Sequence, residues 1–112
     1  GCVVLDSATV TLGRHVKLGP CCKLFTPQHP LDYIERRKPQ EVARPITIGD
    51  DTWLGGNVTV CPGVTIGRRC IIAAGLVVIR DIPDDCLAAG NPAVVKRKLT
   101  NLPAATTTSA ND

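Results

Sequence analysis

An aliphatic residue followed by glycine recurs at six-residue spacing, and this period constrains the chain more than any other feature. Leu12-Gly13 and Leu18-Gly19 stand six apart, and Ile48-Gly49, Leu54-Gly55 and Ile66-Gly67 keep the same register. Val60, Ile72 and Val78 fill the remaining aliphatic places. Four places further on in each hexad comes a second small, mostly apolar residue: Val16, Cys22, Thr52, Val58, Val64, Cys70 and Leu76. One register held through nine hexads is a repeat architecture. An antiparallel sandwich would alternate with period two, and this chain does not.

Six residues make a short strand and a turn. Three such sides close a triangular coil of 18 residues, and successive coils lie at the strand spacing of about 4.8 Å. Side chains 18 apart then stack, Ile48 over Ile66, Leu54 over Ile72 and Val60 over Val78. The expected fold is all-β, a parallel β-helix. In it the first residue of each hexad points inward and the fifth fills a corner. The glycine is expected in a conformation that other residues adopt only at a cost.

The register breaks once. Leu24 and Ile48 are 24 residues apart, one hexad plus 18, so 18 residues loop out of the wall and Ile46 closes the interrupted hexad. The loop, residues 26–45, carries Pro27, Pro30 and Pro39 and charges of both signs. Loops this long in compact domains are usually functional or disordered. After Val78 the repeat is read to end in Arg80-Asp81-Ile82-Pro83-Asp84-Asp85. Gly90-Asn91-Pro92 then makes a turn, and Ala93 to Leu99 is a short segment of unassigned type. The domain is expected to span residues 3–99, and the Thr/Ala/Asn-rich residues 100–112 to form a disordered tail.

Composition supports this reading. Hydrophobic residues make up 44% but aromatics only 3%, namely Trp53, Tyr33 and Phe25. The core must therefore be packed from Val, Ile, Leu, Ala and Cys. The net charge of +3 comes without any run of about five like charges, which argues against a dedicated nucleic-acid surface. No apolar stretch reaches the ~18 residues of a membrane span, and no signal peptide is visible, so a cytoplasmic protein is expected. A chain with Met 0 reads as a processed product or a fragment. The six cysteines include no C-x-x-C pair, so they are read as reduced packing residues rather than zinc ligands or a redox pair.

Two further stretches narrow the family. The loop reads Thr26-Pro27-Gln28-His29-Pro30-Leu31-Asp32, and its return reads Ile48-Gly49-Asp50-Asp51-Thr52-Trp53-Leu54-Gly55-Gly56. The end carries Ile82-Pro83 and Ala89-Gly90-Asn91-Pro92-Ala93. From about Val4 to Leu99 the chain resembles the hexapeptide acyltransferases, within them the maltose/galactoside and nodulation O-acetyltransferase branch. The resemblance implies a left-handed parallel β-helix, an exception to the right-handed crossover rule. It implies a homotrimer with active sites between neighbouring prisms. It also implies transfer of an acetyl group from acetyl-CoA, as co-substrate, to a sugar hydroxyl, without a metal.

The resemblance also assigns residues. His29 is the general base, because a hydroxyl needs its proton removed and imidazole titrates near neutrality. His15, mid-hexad, is read as an exposed wall residue. No Ser or Cys lies close to His29 in sequence, so direct attack within a ternary complex is expected. The oxyanion then meets a fixed donor, the backbone N–H near Gly56. Gly56, Ala74 and Ile79 match positions that line the coenzyme arm. Arg80 and Arg97 match positions that meet its phosphates. Ser7 stands where some members carry an acidic residue touching the acceptor, with Asp6 beside it. Trp53, at the sixth hexad place, points outward to wall a substrate groove or meet a neighbouring subunit. A carbonic anhydrase on the same prism needs three histidines, and this chain has His 2. Two other readings stay open: an acetyltransferase acting on antibiotics, and a non-catalytic scaffold.

Overall fold

The computed structural model describes residues 1–39 and 42–99. The expectation for residues 100–112 lies outside them. Along the repeat the chain visits three parallel sheets in strict rotation. The first wall holds β1 (Val3–Leu5), β4 (Lys23–Phe25), β9 (Thr59–Val60) and β12 (Val77–Val78). The second holds β2 (Val10–Leu12), β7 (Ile46–Ile48) and β10 (Thr65–Ile66). The third holds β3 (Lys17–Leu18), β8 (Trp53–Leu54), β11 (Ile71–Ile72), β13 (Cys86–Ala89) and β14 (Val94–Lys98). Strands this short take part in stable sheets because each lies on another coil rather than beside a hairpin partner.

The stacking follows the sequence register. Ile48 pairs Ile66, Leu54 pairs Ile72 and Val60 pairs Val78. Leu12 pairs Ile48 and Leu24 pairs Val60, so the coils on either side of the loop remain in register across it. Inward residues from Leu24 to Ile82 form one aliphatic column with Ile48, Leu54, Ile66 and Ile72 fully buried. Each such side chain contributes roughly 1.5–3 kcal/mol when removed from water. Thr52, buried at a corner place, is satisfied: its hydroxyl donates to the Gly67 carbonyl at 2.7 Å and accepts the Cys70 N–H at 3.1 Å. The first coil is the exception, since Val4 and Leu12 occupy inward places yet are 44% exposed.

Two expectations are corrected. The repeat does not end after Val78. Ile82 bridges Ile66, and Leu87 and Ala88 pair Ile71 and Ile72, so a further coil continues on a shortened spacing. The segment Ala93 to Leu99 is largely strand, β14, which returns antiparallel to β13. The second correction concerns the hexad glycines. The left-handed backbone falls two places later, at His15, Cys21, Asp51, Asn57, Gly63, Arg69 and Gly75. Gly19, Gly49, Gly55 and Gly67 are needed for close approach instead. A Cβ on Gly55 would lie 2.7 Å from the Ala74 backbone nitrogen of the next coil, and one on Gly19 2.5 Å from that of Gly56. His15 consequently occupies an exposed corner rather than a flat wall.

Candidate active site

The extruded loop leaves the first wall after β4 and rejoins the second at β7. Thr26 fixes its root. Its hydroxyl donates to the Leu5 carbonyl at 2.6 Å and accepts the Ala8 N–H at 3.1 Å. Its own carbonyl accepts the Arg44 N–H at 3.0 Å, which closes the loop. A two-stranded antiparallel ribbon of β5 (Pro27–Gln28) and β6 (Val42–Ala43) extends from this root. His29 follows β5 directly and is exposed. Beyond it Asp32 caps the short helix α1 (Tyr33–Arg36), its side chain accepting the Ile34 N–H at 3.0 Å. The basic residues of the loop brace its outer turn: Arg37 lies 5.2 Å from the Tyr33 ring centroid and Lys38 pairs Glu35 at 2.9 Å. A cavity of about 250 Å³ opens beside His29, lined by Gln28, His29, Pro30, Val42 and Arg44.

The candidate site residues fall into three places. Asp6 and Ser7 sit between the two points where Thr26 holds the first coil, so they adjoin the loop root. Ile79 and Arg80 follow β12 at the same corner of the prism, two coils further along. Gly56 and Ala74 stack at the opposite end of the first wall, where the Gly56 carbonyl accepts the Gly75 N–H at 2.8 Å. The Gly56 N–H makes no hydrogen bond among the described residues. Trp53 and Arg97 belong to the third wall. Its outward row runs Lys17, Trp53, Ile71, Leu87 and Arg97. That wall lies across the prism from the loop corner, so one chain does not bring Trp53 or Arg97 to His29.

Cys22, Cys70 and Cys86 are buried and Cys61 is half-buried, as packing residues are, but Cys2 and Cys21 are exposed, which corrects the expectation for those two. Burial pushes the Cys22, Cys61 and Cys70 thiols up from their ordinary value, which suppresses the reactive thiolate. All six cysteines are free. Among the described residues no cluster of His, Cys, Asp or Glu is arranged to hold a metal, and no helix is long and apolar enough to cross a membrane. Sequence reasoning missed Thr26 as the anchor of the loop and Arg44 as a wall of the cavity. Thr26 left a signal, since it stands at the same hexad place as Pro62 and Arg80. Arg44 left none.

Residues 45–80 match the family model of the hexapeptide repeat of succinyl-transferase. The protein YJL218W of Saccharomyces cerevisiae, named as an acetyltransferase, is 49% identical over 105 residues, which is 94% of this chain and 54% of the relative. The hexapeptide-repeat acetyltransferase VCA0836 of Vibrio cholerae O1 biovar eltor, solved with acetyl-CoA, is 45% identical with a TM-score of 0.86. The match covers 89% of this chain and 55% of that one. A maltose O-acetyltransferase of Clostridium difficile 630 is 40% identical with a TM-score of 0.87, over 89% of this chain and 54% of that one. The resemblance to the hexapeptide-repeat acyltransferases is therefore borne out. The chain spans about half the length of the relatives it matches.

Proposed function

We propose that this chain carries an acetyl-CoA-dependent O-acetyltransfer site on a left-handed parallel β-helix. The observation that carries the reading is the placement of His29. It stands at the mouth of a cavity on a loop root held by four hydrogen bonds through Thr26 and Arg44. Kinship with an acetyl-CoA-bound acetyltransferase supplies the donor.

In this reading the His29 imidazole takes the proton of the acceptor hydroxyl as its oxygen attacks the thioester carbonyl carbon. The Gly56 N–H donates to the oxyanion that forms. The C–S bond then breaks, and the imidazolium returns its proton to the departing CoA thiolate. No covalent enzyme intermediate is needed, in keeping with the raised Cys22, Cys61 and Cys70 thiols. Gly56, Ala74 and Ile79 line the coenzyme arm along the first wall, while Arg80 and Arg97 meet its phosphates. Asp6, Ser7 and Trp53 border the acceptor.

Because Gly56 lies at the far end of the first wall from His29, and Trp53 and Arg97 on the wall across from it, a complete site takes His29 from one chain and these groups from its neighbour. The proposed assembly is a homotrimer of side-by-side prisms. The outward row of the first wall, with Val3 and Leu5 at 43% and 47% exposed and Ile79 at 48%, supports lateral burial of this kind. Release of CoA from acetyl-CoA in the presence of maltose, galactosides or chloramphenicol tests the proposal. Turnover with a sugar supports it and turnover with chloramphenicol alone favours the antibiotic reading. No turnover beside intact acetyl-CoA binding favours the scaffold.

A further inference from the structure

The cavity beside His29 holds a cation that the transfer mechanism does not use. Arg44 is the residue at which the loop closes, and its backbone N–H is fixed on the Thr26 carbonyl. Its aliphatic stem lies over Gly63: a Cβ added there would meet the Arg44 Cδ at 3.3 Å and its Cβ at 3.4 Å. Gly63 has a φ of +80°, a conformation that already disfavours a side chain, so a bare corner supports the stem.

Among the described residues the Arg44 guanidinium makes no ion pair and no hydrogen bond. The Arg14, Arg80 and Arg97 side chains are likewise unpaired among the described residues but do not line this cavity, and several other arginines are engaged. Arg69 grips Asp85 through two bonds of 2.6 and 2.9 Å, Arg68 faces Asp84 at 3.7 Å, and Arg37 lies over Tyr33. No carboxylate among the described residues lines the cavity: Gln28, His29, Pro30 and Val42 complete its wall. A guanidinium presents a planar fork of donors matched to a carboxylate or a phosphate. A neutral sugar hydroxyl offers it neither counter-charge nor two-point geometry.

We infer that Arg44 is a specificity-determining residue that pairs with an anionic group, carboxylate or phosphate, on the hydroxyl-bearing acceptor presented to His29. This rests on the transfer reading above. It narrows the acceptor from sugars in general to acidic ones, a sugar acid or a sugar phosphate. The anion on Arg44 and the hydroxyl on His29 would then fix the acceptor at two points, which is how positioning lowers a bimolecular barrier.

The test compares three matched acceptors, glucose, glucuronate and glucose 6-phosphate, on the full chain and on its Arg44→Gln and Arg44→Lys variants. A charge-assisted hydrogen bond to the guanidinium predicts a preference of about ten- to a hundredfold in kcat/KM for an anionic acceptor over glucose. Arg44→Gln should erase that preference through the acceptor KM rather than the acetyl-CoA KM. Arg44→Lys should retain more of it for phosphate than for carboxylate, because an ammonium is a point charge without the planar fork. Preference for glucose, or an anionic preference that survives Arg44→Gln, overturns the inference and leaves the transfer reading intact. A change confined to the acetyl-CoA KM overturns it by placing Arg44 on the donor. Acetylation of maltose or a galactoside but of none of these three overturns the inference alone; if none of the five is acetylated, the transfer reading itself fails. The inference is then decided by nuclear magnetic resonance with the same three compounds. Shifts of the His29 ring and Arg44 Nε signals with glucuronate or glucose 6-phosphate but not glucose support it, and their absence refutes it.

Discussion

Replacing Gly55 by alanine separates two explanations of the repeat that look identical in sequence. If hexad glycines were there for conformational freedom, Gly55→Ala would incur only backbone strain. The structure gives a different cause. The added Cβ would lie 2.7 Å from the Ala74 nitrogen and 2.8 Å from its Cα, against ordinary contact from 3.4 Å. Both obstacles are backbone, which cannot rotate away. The coils would have to part by several tenths of an ångström where the Gly55 N–H donates to the Ile72 carbonyl at 2.8 Å. Overpacking of this kind typically costs 1–3 kcal/mol, and weakening one backbone hydrogen bond adds about 1, so roughly 2–4 kcal/mol is expected. Gly75 is the control. It has a φ of +76° and open space around its missing Cβ. Gly75→Ala should therefore cost only the left-handed conformational penalty, about 1–2 kcal/mol. Equilibrium urea unfolding of both variants at fixed protein concentration measures the difference. A Gly55→Ala variant as stable as wild type, or one less affected than Gly75→Ala, would refute close coil contact as the reason for the glycines.

Three other outcomes follow from the same geometry. Arg80→Ala and Arg97→Ala should each weaken acetyl-CoA binding by about tenfold or more with little change in stability; unchanged calorimetric affinity in both rejects the phosphate role. The Asp85 carboxylate is held below its ordinary value, chiefly by its hydrogen bond to Arg69. A lowered folded-state pKa contributes stability above the unfolded-state value, about pH 4, and that stability is lost as the pH falls through the folded-state value. Asp85→Asn should flatten this acid limb of the unfolding curve, and an unaltered limb would remove the pair from the account. Sedimentation equilibrium should find a trimer at micromolar concentration, and a monomer there contradicts a site shared between chains.

Much of the wall is legible in the sequence because a stacked coil writes its geometry directly into spacing. Ile48, Leu54 and Val60 each meet the residue 18 places on, and the loop was delimited by arithmetic alone since β4 and β7 must re-enter the same register. Legibility failed where spacing changes. The coil carrying Ile82 and Ala88 has no aliphatic-glycine pair and a shortened period, so nothing in the sequence marked it as wall. The cause of the glycines was also hidden, since a neighbour 19 residues away decides whether a Cβ fits at Gly55. At the candidate site, motif carried His29, but the cavity wall was invisible. Arg44 becomes its neighbour only because Thr26 closes the loop, and neither residue stands next to His29 in the chain.

The central claim is that His29 removes the acceptor proton while playing no part in the fold or in donor binding. The direct test is the rate of acetyl transfer by His29→Ala, measured beside its affinity for acetyl-CoA and its unfolding midpoint, with whichever acceptor the wild-type chain turns over best. Loss of a general base predicts a rate lower by about 10²–10⁴-fold. The affinity and midpoint should hold, because His29 is exposed and follows the ribbon rather than the coils. A variant that transfers acetyl at close to the wild-type rate would contradict the account.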